Sequence, residues 1–313
     1  MFRPEVLEWL GARVEIVVVD PWAEPERWNR EASEVDAVIS RKGRITRSHI
    51  ERSRGRLKIV ARTGVGVDAS RIDLDAAREH KVWVTNMPGS NAVAVAELTF
   101  GHLIALARHT FAADAAVKAN RWSDYRRFTG GELARGTLGI VGMGNIGTRV
   151  ALRARAFEMD LLVCDPYIPA SHVTALGGRW VGLGELLEES DFVTLHCPLN
   201  QETQHMVGER ELSRMKKSAC LVNLARGGVV DETALYRCLA EKRIAGAAID
   251  VFETEPPRED HPMLRLDNVL LTPHIGGSTH EAQARGERGA AEEVVRVLQG
   301  ERPRNPVVGP GVG

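Results

Sequence analysis

Gly139-Ile-Val-Gly142-Met-Gly144-Asn-Ile-Gly147 is the stretch whose reading decides the fold of this chain. The apolar run 138–141 leads straight into G-x-G-x-x-G. A helical pattern follows over 145–157, and a second apolar run, 161–164, stops at Asp165. Strand, tight turn, helix, strand and terminal acid in this register form the unit that grips a dinucleotide. Gly142 permits the tight turn, Gly144 lets backbone approach a pyrophosphate, and Gly147 lets the helix lie close on the sheet. The helix N-terminus then offers unpaired N–H groups and a favourable dipole to the anion. With 30 glycines in the chain, the motif alone is weak; its flanking elements make it informative. The competing reading is a glycine-rich turn that only packs helix on sheet. Asp165 can accept hydrogen bonds from both ribose hydroxyls and repels a 2′-phosphate, and the next arginine is Arg179. The cofactor indicated is NAD rather than NADP.

The chain has 313 residues, long enough for about two domains, and its 43% hydrophobic and 27% charged composition is that of an ordinary globular protein. A net charge of −1 gives no global field toward nucleic acid or a membrane. One local exception is the segment 41–62, with nine Lys/Arg against a single acid, Glu51. It reads either as a solvated helix face or as an anion-receiving surface. No stretch reaches the length of a membrane span, and the N-terminus has no signal pattern. Cys164, Cys197, Cys220 and Cys238 show no C-x-x-C spacing. They read as small buried hydrophobes in a reducing compartment, not as metal ligands or disulfides, so a cytoplasmic location is expected.

Short apolar runs alternate with helical patterns, which argues for parallel sheets covered by helices. Strands are expected at 14–19, 37–39, 57–61 and 82–85, then at 138–141, 161–164, 192–196, 220–224, 246–251 and 269–272. The glycine turn lies well inside the chain, preceded by about 85 residues and a long helical connector over 92–119. The last helical pattern, 281–298, is long enough to cross back to the first part. Two α/β domains are therefore expected, with a cleft between them. Residues 1–87 and 285–313 would form the discontinuous one and 88–284 the dinucleotide-binding one. The tail from Arg302 reads as irregular and frayed.

Three further segments place polar residues just after expected strands, where ligands of doubly wound sheets bind. They are Asn223-Leu-Ala-Arg226-Gly-Gly, Asp250-Val-Phe-Glu-Thr-Glu255-Pro-Pro and Thr272-Pro-His274-Ile-Gly-Gly-Ser. Each alone has a bland reading as a turn or a solvated loop. Together they supply what hydride exchange on a 2-oxo acid needs. A planar guanidinium can hold a carboxylate bidentately and polarise the carbonyl. An imidazole can give a proton to the forming alcohol, and a neighbouring carboxylate keeps it protonated and fixes the ring.

With these segments, Ala61-Arg-Thr-Gly-Val-Gly-Val-Asp68, Asn86-Met-Pro-Gly-Ser-Asn91 and His196-Cys-Pro-Leu199 in the same order, the chain resembles the D-isomer-specific 2-hydroxyacid dehydrogenase family, in its phosphoglycerate dehydrogenase-like branch. The resemblance covers almost the whole chain, from about Glu5 to Val308. It implies a Rossmann NAD-binding domain inserted in a flavodoxin-like substrate domain, both doubly wound, and an NAD-dependent oxidoreductase acting on CH–OH groups. It implies Arg226, Glu255 and His274 as the catalytic trio. Cofactor contacts would come from Gly142, Gly144, Asn145, Ile146, Gly147, Asp165, Leu224, Ala225, Arg226, Asp250, His274, Gly276 and Gly277. Val65 and Gly66 would hold the substrate carboxylate through backbone N–H groups, and His196 would shape the cofactor pocket. Arg62 falls on a phosphate-contacting position and Arg41, Lys42 and Arg44 follow a strand, so 3-phosphoglycerate is the first substrate expectation. A smaller acid such as glyoxylate, hydroxypyruvate or D-lactate is the alternative. The resemblance also implies a homodimer through the helical region 91–119. A non-catalytic NAD-sensing binding protein is the alternative of another class.

Two departures from the family pattern bear on the ends. No regulatory domain follows Val308, so feedback through an appended module is not expected. The helix at 4–10 stands where the family has a strand before it, so the first strand is expected to be missing.

Overall fold

Runs of Val, Leu, Ile and Ala that are buried on both sides build two separate sheets. The computed structural model describes residues 2–41, 43–67 and 72–312. Its Cα framework falls into two compact units, Met1–Asn91 with Ser278–Gly313, and Ala92–Gly277.

In the first unit, β1 (Ala37–Ser40), β2 (Ile59–Arg62) and β3 (Trp83–Thr85) pair in parallel. The helix His280–Leu298 lays Ala290, Val294 and Val297 on Ile59 and Ala61. The helix Pro4–Gly11 packs Val6 and Leu10 against Ala291 and Val295 of that long helix. Two carboxylates of the long helix are almost fully buried and used as anchors. Glu287 accepts from the Arg3 N–H at 3.0 Å, and Glu293 from the Arg304 N–H at 2.9 Å.

The second unit holds seven parallel strands: β4 (Thr137–Val141), β5 (Asp160–Cys164), β6 (Arg179–Trp180), β7 (Phe192–Leu195), β8 (Cys220–Asn223), β9 (Gly246–Ile249) and β10 (Val269–Leu271). Their order, β10-β9-β8-β7-β4-β5-β6, reverses direction between β4 and β7. That reversal is the switch point at which doubly wound sheets bind ligands. The α/β architecture with parallel sheets is as expected. The helix Ala92–Arg108 belongs to this unit and packs on the helix Asn145–Ala156, on β8 and on β9.

Three expectations need correction, and one strand was not foreseen. The run 14–19 forms no strand: Val14 and Ile16 tuck beside Val6, Leu10 and Ile39, while Val17 and Val18 are exposed. An extended run becomes a strand only where a neighbour supplies backbone partners, and apolar alternation cannot report that. The tail is not frayed throughout. Pro306–Val308 forms β11, antiparallel to β3, with Val308 buried in the core that contains Val84. Proline lacks a donor, so it tolerates this outer position and disguised it in the sequence. The connector 92–119 is two helices, Ala92–Arg108 and Thr110–Lys118, broken at His109, whose φ is 52°. The Ala107 carbonyl there accepts from the Gly131 N–H at 2.9 Å instead of continuing the helix. The short strand β6 has exposed side chains and left no apolar signal. Among the described residues, no helix is long and apolar enough to cross a membrane.

Glu293→Ala removes the carboxylate that ties the tail to the long helix. Chemical denaturation should show a loss of about 1–3 kcal/mol, with faster amide exchange at Arg304 and Val308.

Candidate active site

The glycine turn sits at the end of β4, at the switch point. Gly142 has φ 90°, and a Cβ there would lie 2.8 Å from the Cys197 nitrogen on the loop after β7. A Cβ on Gly147 would meet the Gly142 carbonyl oxygen at 2.1 Å, so only glycine lets the helix start this close to the strand. Gly144 differs: nothing lies within 4 Å of its would-be Cβ. The turn is packed tightly beneath and open above, at a helix N-terminus opened by Asn145 and half-buried Ile146. That is the shape and polarity an anionic pyrophosphate requires.

Asp165 follows β5 and is held on both oxygens. Its Oδ2 accepts from the Met143 N–H at 2.7 Å, inside the glycine turn, and its Oδ1 from the Tyr167 N–H at 2.9 Å. The acid therefore stands fixed beside the turn. These residues fit NAD: an anion cradle, a fixed carboxylate for the ribose, and the switch point for the rest.

Arg226, Glu255 and His274 stand on three loops that follow β8, β9 and β10, and the last two side chains meet. Asn223, buried at the end of β8, accepts from the Ala225 N–H at 3.0 Å and donates to the Arg226 carbonyl at 3.0 Å, setting the turn of Leu224, Ala225 and Arg226. The Arg226 Nη1 donates to the Ala225 carbonyl at 2.6 Å. A Cβ on the next residue, Gly227, would fall 2.0 Å from the Phe252 carbonyl carbon. That close approach seats the arginine turn directly on the loop that carries Glu255. Glu255 Oε1 accepts from the Phe252 N–H at 3.3 Å, and its Oε2 lies 2.7 Å from His274 Nδ1.

His274 has φ 52°, a left-handed backbone that costs a residue with a Cβ about 1–3 kcal/mol unless its surroundings hold it. Asp250 does the holding. The His274 N–H donates to the Asp250 carbonyl at 2.8 Å. The Asp250 carboxylate accepts from the Ile275 N–H at 2.8 Å, the Gly276 N–H at 2.8 Å and the Thr272 hydroxyl at 2.6 Å. Asp250 is 1% exposed, so its carboxylate organises the turn of His274, Gly276 and Gly277 rather than standing open to a ligand.

Comparisons with known proteins identify the family. The model of the D-isomer specific 2-hydroxyacid dehydrogenase NAD binding domain matches residues 100–276. The chain belongs to the D-isomer specific 2-hydroxyacid dehydrogenase family. It is 45% identical over 281 residues to a D-3-phosphoglycerate dehydrogenase of Methanocaldococcus jannaschii, covering 89% of this chain and 53% of that one. It thus spans about half the length of the phosphoglycerate dehydrogenase that it matches. A hydroxypyruvate reductase of Thermotoga maritima is 39% identical and is matched over 94% of this chain and 95% of its own. The crystal structure of the TT0316 protein from Thermus thermophilus superposes with a TM-score of 0.87 at 35% identity, covering 98% of both chains.

The other residues that the family resemblance pointed to lie in the first unit. Val65 and Gly66 follow β2, and the Val65 carbonyl accepts from Asn86 Nδ2 at 2.7 Å. Arg62 is 7% exposed, and its Nη1 donates to the Arg41 carbonyl at 3.0 Å and to the Ser40 carbonyl at 3.3 Å. Arg41 faces the buried Glu287 at 3.6 Å. Elsewhere in the basic segment, Arg47 holds Glu79 with both terminal nitrogens, and Arg56 pairs with Asp36 at 3.2 Å. Part of the apparent anion surface is thus internal ion pairing. Arg44 is exposed; Lys42 and Asp68 lie outside the described residues.

His196, at the end of β7, is buried. Its Nε2 is 3.0 Å from Thr194 Oγ1, and Nδ1 has no partner among the described residues. Burial pushes its imidazole down to about 3, so the ring stays neutral. Sequence reasoning passed over two residues that the geometry makes important, Asn223 and Thr272. Both are polar residues closing apolar strands, which was the available signal.

Gly144→Ala should change folding stability by less than about 1 kcal/mol yet weaken NADH binding at least about tenfold in a fluorescence titration. Gly147→Ala should cost about 3 kcal/mol in stability. For His196, the unfolded chain takes up a proton near pH 6.5 that the folded chain refuses until about pH 3. This contribution leaves stability intact above pH 6.5 and erodes it below, by up to about 1.4 kcal/mol per pH unit. Denaturation curves from pH 7 to 5 should therefore fall less steeply for His196→Gln than for the unaltered chain.

Proposed function

We propose that this chain exchanges a hydride between NAD(H) and a D-2-hydroxy/2-oxo acid, with Arg226, Glu255 and His274 as the catalytic residues. The observation that carries this reading is the 2.7 Å contact between His274 Nδ1 and Glu255 Oε2. A carboxylate only accepts, so Nδ1 carries hydrogen and Nε2 is left as the working nitrogen. Bound NAD(H) supplies or removes the hydride. As hydride reaches the substrate carbon, His274 gives its Nε2 proton to the carbonyl oxygen, which becomes the hydroxyl; the reverse reaction returns it. Glu255 fixes the orientation of the ring, so that Nε2 faces outward from this contact. Arg226 binds the substrate carboxylate in bidentate fashion and steadies the negative charge that develops on the carbonyl oxygen.

The preferred substrate is D-3-phosphoglycerate, a reading supported by the 45% identity to a protein of that name and by Arg41 and Arg62 at the ends of β1 and β2. A smaller acid, hydroxypyruvate or glyoxylate, is favoured by one observation: both arginines already hold partners inside their own unit. Val65 and Gly66 are proposed as substrate-carboxylate contacts through their N–H groups. The protein is further proposed to be a cytoplasmic homodimer. The exposed apolar side chains of Phe111, Val117, Trp122 and Tyr125, on and beyond the helix Thr110–Lys118, support the dimer.

His274→Ala should lower kcat by about 10²–10⁴ and Arg226→Ala by about 10²–10³. Near-normal turnover of His274→Ala on every 2-hydroxy acid tried would sink the mechanism. Comparing kcat/KM for 3-phosphoglycerate with glycerate and lactate decides the substrate, and equal efficiency would rule out the phosphate reading.

A further inference from the structure

Behind the His274 turn lies a second histidine. His102, on the helix Ala92–Arg108, is 2% exposed, and its Nε2 is 3.3 Å from Thr272 Oγ1. Thr272 in turn is 2.6 Å from Asp250 Oδ1. The direction of these bonds follows from their chemistry. An ionised Asp250 can only accept, so the single hydroxyl proton of Thr272 points to it. The Thr272 oxygen is then an acceptor toward His102, and His102 must carry its proton on Nε2.

We infer that His102 is a positioning residue for the proton-transfer site. It acts through the chain His102 Nε2–H to Thr272 hydroxyl to Asp250 carboxylate. This inference rests on the reading of His274 as the acid and base. The Asp250 carboxylate holds the Ile275 and Gly276 N–H groups, and its carbonyl holds the N–H of His274, whose backbone is left-handed. A carboxylate can rotate about its own axis. The Thr272 hydroxyl adds a third donor to the two N–H groups that restrain that rotation, and His102 donates to the hydroxyl oxygen. Burial lowers the imidazole pKa of His102, with Asp250 opposing it, which suits a neutral ring with one donor toward Thr272. A buried histidine on a largely apolar helix is commonly no more than a satisfied core side chain. Its hydrogen-bond direction distinguishes the two roles, because a merely packed imidazole has no reason to drive the Thr272–Asp250 bond.

Two measurements on the full chain test this. Nitrogen-15 histidine NMR should show His102 protonated at Nε2, with a slowly exchanging proton whose signal shifts in Thr272→Val. A His102 protonated only at Nδ1 would overturn the proposal, and this readout does not depend on turnover. In steady-state kinetics, His102→Leu should lower kcat about tenfold while the KM values stay within about twofold, and His102→Gln, which restores a donor at the same reach, should recover most of the loss. Equal kcat for the Leu and Gln variants, whether lowered or unaltered, would also overturn it. If instead His274→Ala kept its turnover, the proposed mechanism would fail while the NMR result stood.

Discussion

The start of the helix Asn145–Ala156 lies against the Gly142 carbonyl at a separation that leaves no room for a Cβ at Gly147. Much of the second unit depends on that approach. It sets how close the helix rides on β4, and it leaves the helix's first N–H groups pointing into open space at Gly144. It also brings the Met143 N–H to Asp165 and the back of Gly142 to the loop after β7, so β4, β5 and β7 converge on one turn. A larger residue at either glycine would move all three contacts at once. Close packing of this kind transmits strain because interiors have few voids to absorb it.

Arg226, Glu255 and His274 are held on a different principle. None of the three side chains is held mainly by apolar packing. Buried Asn223 and Asp250 satisfy the backbone beneath Arg226 and His274, and Glu255 itself accepts from the Phe252 N–H of its own loop. Buried polar groups of this sort must be fully paired to be tolerated, and once paired they specify a single loop geometry. Irregular backbone at strand ends is thereby held to one conformation.

Most of this was legible in the sequence, because parallel strands buried on both faces read as unbroken apolar runs. β4, β5, β7, β8, β9 and β10 all stand out in that way, and so does Asp165 at the end of one of them. The misreadings share a cause. The run 14–19 has strand composition but no strand beside it, whereas β11 has a strand beside it but a proline-flanked composition. Pairing is a property of neighbours, and composition does not encode it. The strand-end rule marked the three segments that carry Arg226, Glu255 and His274, but not the contacts that support them. That Asp250 turns inward to its own loop, and that Arg41 and Arg62 spend hydrogen bonds within their own unit, depends on contacts between residues far apart in sequence.

Asp165 also bears on any attempt to redesign cofactor preference. Because its two carboxylate oxygens already receive the Met143 and Tyr167 N–H groups, the side chain serves as a bracket between the glycine turn and the stretch after β5. Removing the charge to admit a phosphorylated ribose would also undo that bracket and release both backbone amides. A successful exchange must therefore install a neutral acceptor with the same reach, with a new cation as a separate change. The charge of Asp165 and the architecture of its two loops rest on one side chain, so a change of the first has to rebuild the second.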